Sequence, residues 1–511
     1  MNRSLLNPSA VLTALPISSP QIQNVDAMNE NVMNVPNKPP FKVMAIACVV
    51  CLILGFGILN PGSLPINSVV LAIGLMIFLC VARVPVTIAL IASALVGGLH
   101  SGLSTEEAIA AINDNLLVGS QVGMTYIMVG ALAVALARSG VLDLLARKLV
   151  SMLGNEDTKH QSKVKWLLYG IFMVASILSQ NAVPVHIAFI PVMIPPLLVI
   201  FNKLRIDRRA IACVLACSIS SSYLLLPTGF GAIFLNEILL ANVNDVGSAY
   251  GLAVTADMVP KAMFLPVMGI LAGMLVAVFF SYRKPRDYTT NDVALEHLEK
   301  TKDTVIKPFQ LVMTLIAVAV TLVFQVTFDS LLVGAMLGFM ILSLAGIFRW
   351  DQQDDVFTQG MRMMVQIAVI ITIASGFAGV LEATGEIKPL VQASAELIGD
   401  HKALAAAIML IVGLFITIGF GDSFASVPIL APIYIPLALT LGFSPMAAVA
   451  LLGASAALGD AGSPASTITL GATSGLNADG QHDHVRDSVI PTFMHANFGM
   501  VIFAWIAAMV L

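Results

Sequence analysis

What most restricts the folds open to this chain is the length of its apolar segments. From residue 41 onward, mainly apolar stretches of about 17 or more residues follow one another, each long enough as a helix to cross a bilayer core. With 58% hydrophobic and only 11% charged residues, the chain lacks the polar surface of a soluble enzyme and reads as an all-α polytopic membrane protein. A net charge of -4 spread along 511 residues offers no basic surface for nucleic acid. Cys48, Cys51, Cys80, Cys213 and Cys217 all fall in apolar segments, so no disulfide framework is expected. Cys48-x-x-Cys51 has no second Cys or His pair to complete a metal site. No cofactor is expected, and the lipid bilayer is the first partner.

Reading the segments in order gives about eleven transmembrane helices and two re-entrant hairpins. Residues 1–40, rich in Asn, Pro and Ser, read as a disordered cytoplasmic tail, and 41–60 as an additional N-terminal span. Residues 66–241 form a first unit with a hairpin tip near 179–184 and a broken helix near 220–231. Within it, 104–115 reads as an interfacial helix with Glu106 and Glu107 in its first turn, ahead of a span over 118–137. Residues 242–307 link to a second unit, 308–476, with a hairpin tip near 419–428 and a broken helix near 459–467. A cytoplasmic loop and final span, 477–511, close the chain.

The two units are related. Residues 130–154 align without a gap on 375–399; Asn181, Pro191 and Pro195 fall on Asp422, Pro432 and Pro436; Ser218 and Pro227 fall on Ser455 and Pro464. Lys203, Arg205, Arg208 and Arg209 lie between the first hairpin and the next segment, whereas the equivalent stretch 437–446 carries no Lys or Arg. By the positive-inside rule these stretches face opposite sides, so the repeats are inverted. All of the 26 Lys and Arg residues except Lys261, Lys388 and Lys402 then lie inside, with a cytoplasmic N-terminus.

Inverted repeats place four polar breaks near the midplane around one cavity. Asp422 and Asp460 sit in two of them, Gly419–Ser426 and Gly459–Thr467, at an insertion cost of about 2.5–3.5 kcal/mol each that marks an ion or proton site. The candidate binding residues are Ser179, Gln180, Asn181, Ser220, Ser221, Ser222 and Thr228 from the first unit, and Asp422, Ser423, Ser426, Asp460, Ser463, Ser466 and Thr467 from the second. Hard oxygens suit Na+, with Asp422 and Asp460 as its carboxylate ligands. A desolvated carboxylate that exchanges a proton for Na+ is a minimal antiport device. His186 and His495, with Asn497 beside the latter, are candidate proton relays. His482-Asp483-His484 reads as a solvated cytoplasmic turn.

The runs Ile66-Asn67-Ser68-Val69-Val70 through Arg83-Val84-Pro85-Val86, Ser179-Gln180-Asn181-Ala182-Val183-Pro184-Val185-His186-Ile187-Ala188-Phe189-Ile190-Pro191, Leu225-Leu226-Pro227-Thr228-Gly229-Phe230-Gly231, Gly459-Asp460-Ala461-Gly462-Ser463-Pro464-Ala465-Ser466 and Gly475-Leu476-Asn477-Ala478-Asp479-Gly480-Gln481-His482-Asp483-His484 resemble the bacterial Na+/H+ antiporter family of the ion transporter superfamily. The resemblance runs from about residue 66 to the end. It implies a scaffold domain and a moving transport domain, Na+/H+ exchange, and a homodimer in the inner membrane. Members of this branch are also regarded as amino acid permeases, with histidine a suggested substrate. The chain departs from the family pattern near Ile468, where an acidic or hydroxyl residue is expected.

Two readings follow: a Na+/H+ antiporter with Asp422 and Asp460 at its ion site, or a cation-coupled amino acid permease whose helix ends at Asn181 and Ser423 hold a substrate carboxylate. A channel or a non-transporting scaffold fits paired breaks less well.

Overall fold

The computed structural model describes residues 66–82, 84–142, 144, 147–148, 161–181, 186–293, 295–296 and 307–511. The tail 1–40, the span 41–60 with Cys48 and Cys51, the far end of the 130–154 match, the tip residues 182–185 and part of the 283–307 loop fall outside these residues. The described part is entirely helical.

The first half comprises α1 (Ser68–Val81), α2 (Val86–His100), α3 (Thr105–Arg138), α4 (Gln161–Asn181), α5 (His186–Met193), α6 (Leu198–Lys203), α7 (Arg208–Tyr223) and α8 (230–248). After α9 (Met258–Ser281) come α10 (Pro308–Phe328), α11 (Leu331–Leu344), α12 (Gln353–Ala383), α13 (Ile387–Ile398), α14 (Lys402–Phe420), α15 (Ser423–Thr440), α16 (Pro445–Ala457), α17 (Thr467–Leu476) and α18 (His484–Val510). Against eleven expected spans, six helices among the described residues are long and apolar enough to cross a membrane by themselves, and six shorter apolar helices of 10–17 residues accompany them. On α10 the outward side chains Val312, Leu315, Val323 and Val326 are exposed and apolar, as a lipid-facing surface requires.

The expected interfacial helix and the span after it are one element. No Gly or Pro interrupts residues 105–118, Ser104 and Glu107 form a reciprocal capping box, and the helix runs for 34 residues. It packs along α12, and small residues bring the two backbones together. A Cβ on Gly130 would lie 2.5 Å from the carbonyl oxygen of Gly360, and one on Gly123 2.9 Å from that of Ala368. α11 packs on α3, and α2 on α12. Among the elements that carry or flank the polar breaks, α7 packs on α4, α9 and α17, α15 on α16 but also on α12 and α13, and α16 on α14, α9 and α18.

Candidate functional site

Three helix breaks among the described residues, with the described end of α4 at Asn181, come together in two pairs. In the first half, α4 ends at Asn181 and α7 at Tyr223, and α8 resumes at residue 230. Ser220, Ser221 and Ser222 therefore lie inside α7, and the break begins after them, at residues 224–229; Pro227 is what the helix cannot continue through. Asn181 closes over this turn, its Nδ2 donating to the carbonyls of Thr228 at 2.9 Å, Leu226 at 3.0 Å and Ser222 at 3.3 Å. Gly229, at φ 59 and ψ -133, lies so close that a Cβ there would meet the carbonyl oxygens of Gln180 and Asn181 at 2.5 and 2.6 Å. Gln325 of α10 clamps the same peptide from the other side: its Oε1 accepts from Gly229 N at 2.9 Å and its Nε2 donates to Gly229 O at 3.0 Å.

In the second half the turn at Gly421 and Asp422 sits on the break 458–466. Gly421 ends α14 in the left-handed region, and a Cβ on it would lie 2.7 Å from Ser463 Oγ. Ser463 Oγ donates to the carbonyl of Ile418 at 2.9 Å. Asp422 N-caps α15, its Oδ1 accepting from Ala425 N at 2.8 Å.

The two halves meet at Asp460. Its Oδ2 accepts from Tyr223 Oη at 2.6 Å and from Ser423 Oγ at 3.0 Å, its Oδ1 from Ser466 Oγ at 3.0 Å, and the Tyr223 and Ser423 hydroxyls lie 2.9 Å apart. Asp460 is 6% exposed, and among the described residues no Lys, Arg or His forms an ion pair with it or with Asp422. The carboxylate is satisfied in hydrogen bonds but not in charge. An aromatic wall covers it, with Phe424 packed against Tyr126, Tyr223 and Phe234 at centroid separations of 5.2, 5.4 and 5.3 Å.

Of the residues singled out from sequence, Asp460, Ser423 and Ser466 share one cluster, and Asp422 is the neighbour of Ser423 in the chain. Ser463 and Ser426 turn to backbone carbonyls, the latter to that of Asp422 at 2.5 Å. Ser179 and Ser222 likewise bond the carbonyls three residues back in their own helices. Thr228 contributes its carbonyl, and Thr467 begins α17, which Ser466 caps. Gln180 is buried, and its Oε1 has no hydrogen-bond partner among the described residues. His495 bonds Pro491 O and Ser281 and does not join the cluster; His186 opens α5, and its side chain is outside the described residues. Tyr223 and Gln325 were missed. The signal for Tyr223 lies in the repeat: the 237-residue spacing that aligns Ser218 with Ser455 puts Tyr223 on Asp460.

The loop 477–488 is only in part the solvated turn expected: Asn477, Gly480 and Asp483 are exposed, but its histidines turn inward. His482 is 2% exposed and bonds Ser488 Oγ through Nε2 at 2.8 Å, and His484 bridges Thr473 Oγ1 at 2.7 Å and Pro464 O at 3.0 Å. Burial pushes the His482 imidazole down to about 4 against the pull of Asp487. Beside it, buried Arg208 holds Asp479 through two 2.6 Å bonds, donates to Leu476 O, and stacks on Tyr288. Burial raises the Asp479 carboxyl, but its bonds to Arg208 outweigh that and hold it below the usual range. Among the described residues no group of three or more His, Cys, Asp or Glu is placed to hold a metal ion.

A helical membrane protein with a buried carboxylate at the meeting point of broken helices belongs to the class of polytopic transporters, and the comparisons agree. Residues 216–507 match the model of the Na+/H+ antiporter family, and 67–153 that of a Na+-H+ antiporter family. An uncharacterized membrane protein of Vibrio parahaemolyticus is 48% identical over 87% of this chain and all of its own length. YuiF of Bacillus subtilis, whose name proposes amino acid transport, is 44% identical over 87% of this chain and all of its own. Two solved structures share the fold: Neisseria gonorrhoeae MtrF (TM-score 0.53, 16% identity, 90% of this chain and 98% of that one) and the Alcanivorax borkumensis YdaH transporter (TM-score 0.50, 15% identity, 85% and 97%). The chain belongs to the Na+/H+ antiporter family, a family of membrane transporters.

Proposed function

We propose that this protein is a secondary Na+/H+ antiporter of the bacterial inner membrane, with a cytoplasmic N-terminus and Asp460 as the group that carries Na+ and H+ in turn. One observation carries the reading: a carboxylate buried between two helix breaks, held by three hydroxyls and, among the described residues, by no cationic side chain. Such a group needs either a proton or a small hard cation to offset its charge. The oxygens of Tyr223, Ser423 and Ser466 are the neutral ligands Na+ prefers, and their hydroxyl hydrogens rotate away when it arrives. Asp422, at the start of α15, brings a second carboxyl to the turn packed on the break that carries Asp460.

The two halves are read as inverted repeats. α3 and α12 anchor a scaffold, and the helices with breaks form a moving body around Asp460, in an elevator-like alternating-access cycle, with a homodimer as its natural assembly. Na+ and H+ serve as cargo, and no cofactor takes part.

A second reading, cation-coupled amino acid transport, is favoured by the name of the 44%-identical relative YuiF. The helix starts weigh against a carboxylate site in this conformation: the Ala425 N–H is taken by Asp422, that of Ile468 by Ser466, and that of Gly229 by Gln325. Purified protein in proteoliposomes with an internal pH dye separates the two. Na+ alone drives proton movement in the antiporter, and Asp460→Asn abolishes it in a folded protein. Retained flux in that variant, or flux that appears only with an amino acid present, overturns the first reading.

A further inference from the structure

The last helix carries a polar side chain that the cluster above does not use. Asn497 is 1% exposed, and neither its Oδ1 nor its Nδ2 has a hydrogen-bond partner among the described residues. A buried carboxamide with both ends unpaired is rare, because each unmet group carries its full desolvation penalty. Asn497 closes a π-helical turn, Phe493–Asn497, within α18. Such turns insert a residue into the helix and re-aim the side chains around it, and they recur at functional sites.

Its direction is given by Gly462, two residues beyond Asp460. A Cβ added to Gly462 would lie 3.0 Å from Asn497 Nδ2 and 2.7 Å from Phe493 Cα, so the carboxamide abuts the backbone of the break that carries Asp460, and only glycine leaves room for it. The same turn packs on α7, where the Ser220 and Ser221 hydroxyls are also buried without partners. A half-turn about the Cβ–Cγ bond exchanges Oδ1 and Nδ2, so either can face the break.

We propose that Asn497 is a direct ligand of the cation carried at Asp460, its carboxamide oxygen adding a neutral donor to the hydroxyls of Tyr223, Ser423 and Ser466. The ligand class is a small hard monovalent cation, Na+ or Li+. This assignment rests on the Na+-carrying role read for Asp460.

The test is thermal unfolding of purified full-length protein in choline chloride and with Na+ titrated in, for wild type, Asn497→Leu, Asn497→Ala and Asn497→Asp. A ligand that waits unpaired for its cation predicts that Asn497→Leu, of similar volume, melts in choline no lower than wild type but needs about tenfold more Na+ for the same stabilisation. Asn497→Asp, which keeps an oxygen, retains the Na+ response. Should the leucine variant not fold, the alanine variant is read in the same way. An unchanged Na+ response in the variant overturns the assignment and leaves the role of Asp460 standing. So does a large loss of stability in choline for both Leu and Ala, which marks Asn497 as structural. If wild type itself gains nothing from Na+, the role of Asp460 falls and the assignment falls with it.

Discussion

Tyr223 donates to Asp460 across 2.6 Å, so the residue that ends the broken helix of the first half bonds the residue that takes its place in the second. The 237-residue spacing that matches Ser218 to Ser455 thus sets a neutral phenol against an acid; Asn181, which falls on Asp422 at a spacing of 241 residues, bonds backbone carbonyls of its own half instead. The second half supplies the carboxylate and two of its three donors, Ser423 and Ser466; the first half supplies Tyr223.

Tyr223→Phe removes one of the three donors to Asp460 and keeps the ring packing on Phe424 and Phe234. A hydrogen bond to a charged group is worth about 1.5–3 kcal/mol, so the Na+ concentration for half-maximal proton flux shifts by about tenfold or more while the protein stays folded. Flux titrations of both proteins at one pH check this; an unchanged midpoint removes Tyr223 from the site.

Asp422 has a structural role that separates from its charge. Asparagine caps a helix as well as aspartate does, so Asp422→Asn keeps the melting temperature near wild type and lowers Na+-driven flux. Asp422→Ala loses in addition about 1 kcal/mol of stability, because the Ala425 N–H is left without its cap. Unfolding and flux measured on the same preparations distinguish the two effects.

Gly229→Ala places a Cβ against the carbonyls of Gln180 and Asn181 at a backbone conformation open only to glycine. A loss of about 2 kcal/mol or more, or no folded protein, is expected. Wild-type stability in this variant contradicts the packing of the first pair of breaks.

Arg208 and Asp479 form a buried pair with both side chains at 0% exposure. Arg208→Met alone leaves an uncompensated carboxylate and costs about 3–5 kcal/mol; Arg208→Met with Asp479→Leu recovers most of that loss. A double-mutant cycle of melting temperatures measures the coupling.

His482 is held neutral in the fold, with its value depressed from 6.5 to about 4. The unfolded chain therefore binds the proton first, and this residue's contribution to stability falls as pH drops from about 6.5 toward about 4. His482→Gln, which can still bond Ser488, flattens the decline in melting temperature over that window. A profile identical to wild type places the acid sensitivity elsewhere.

Much of this architecture was legible along the chain because its causes are local. Helix-spanning hydropathy, Pro and Gly at the breaks, and a carboxylate too costly to place in lipid without a purpose all leave marks in consecutive residues, which is why Asp460, Ser423 and Ser466, hydrogen-bonded in one cluster, stand out in the sequence. Tyr223 and Gln325 were not, since an aromatic or a single amide in an apolar helix looks like packing until its partner across the fold is known. The burial of His482 is hidden in the sequence for the same reason: the loop's polarity is that of a turn, and only its packing with Arg208, Asp479 and Ser488 encloses that one side chain.

By itself the sequence determined that the chain is a polytopic helical membrane protein and that two acids lie where its helices are interrupted, because periodicity and desolvation cost act within short stretches. Only the tertiary structure decided which oxygens meet. Ser463 and Ser466 are three residues apart with the same hydroxyl, yet one turns to the carbonyl of Ile418 and the other to Asp460. That choice is set by how two turns from separate segments pack against each other, and no local pattern records it.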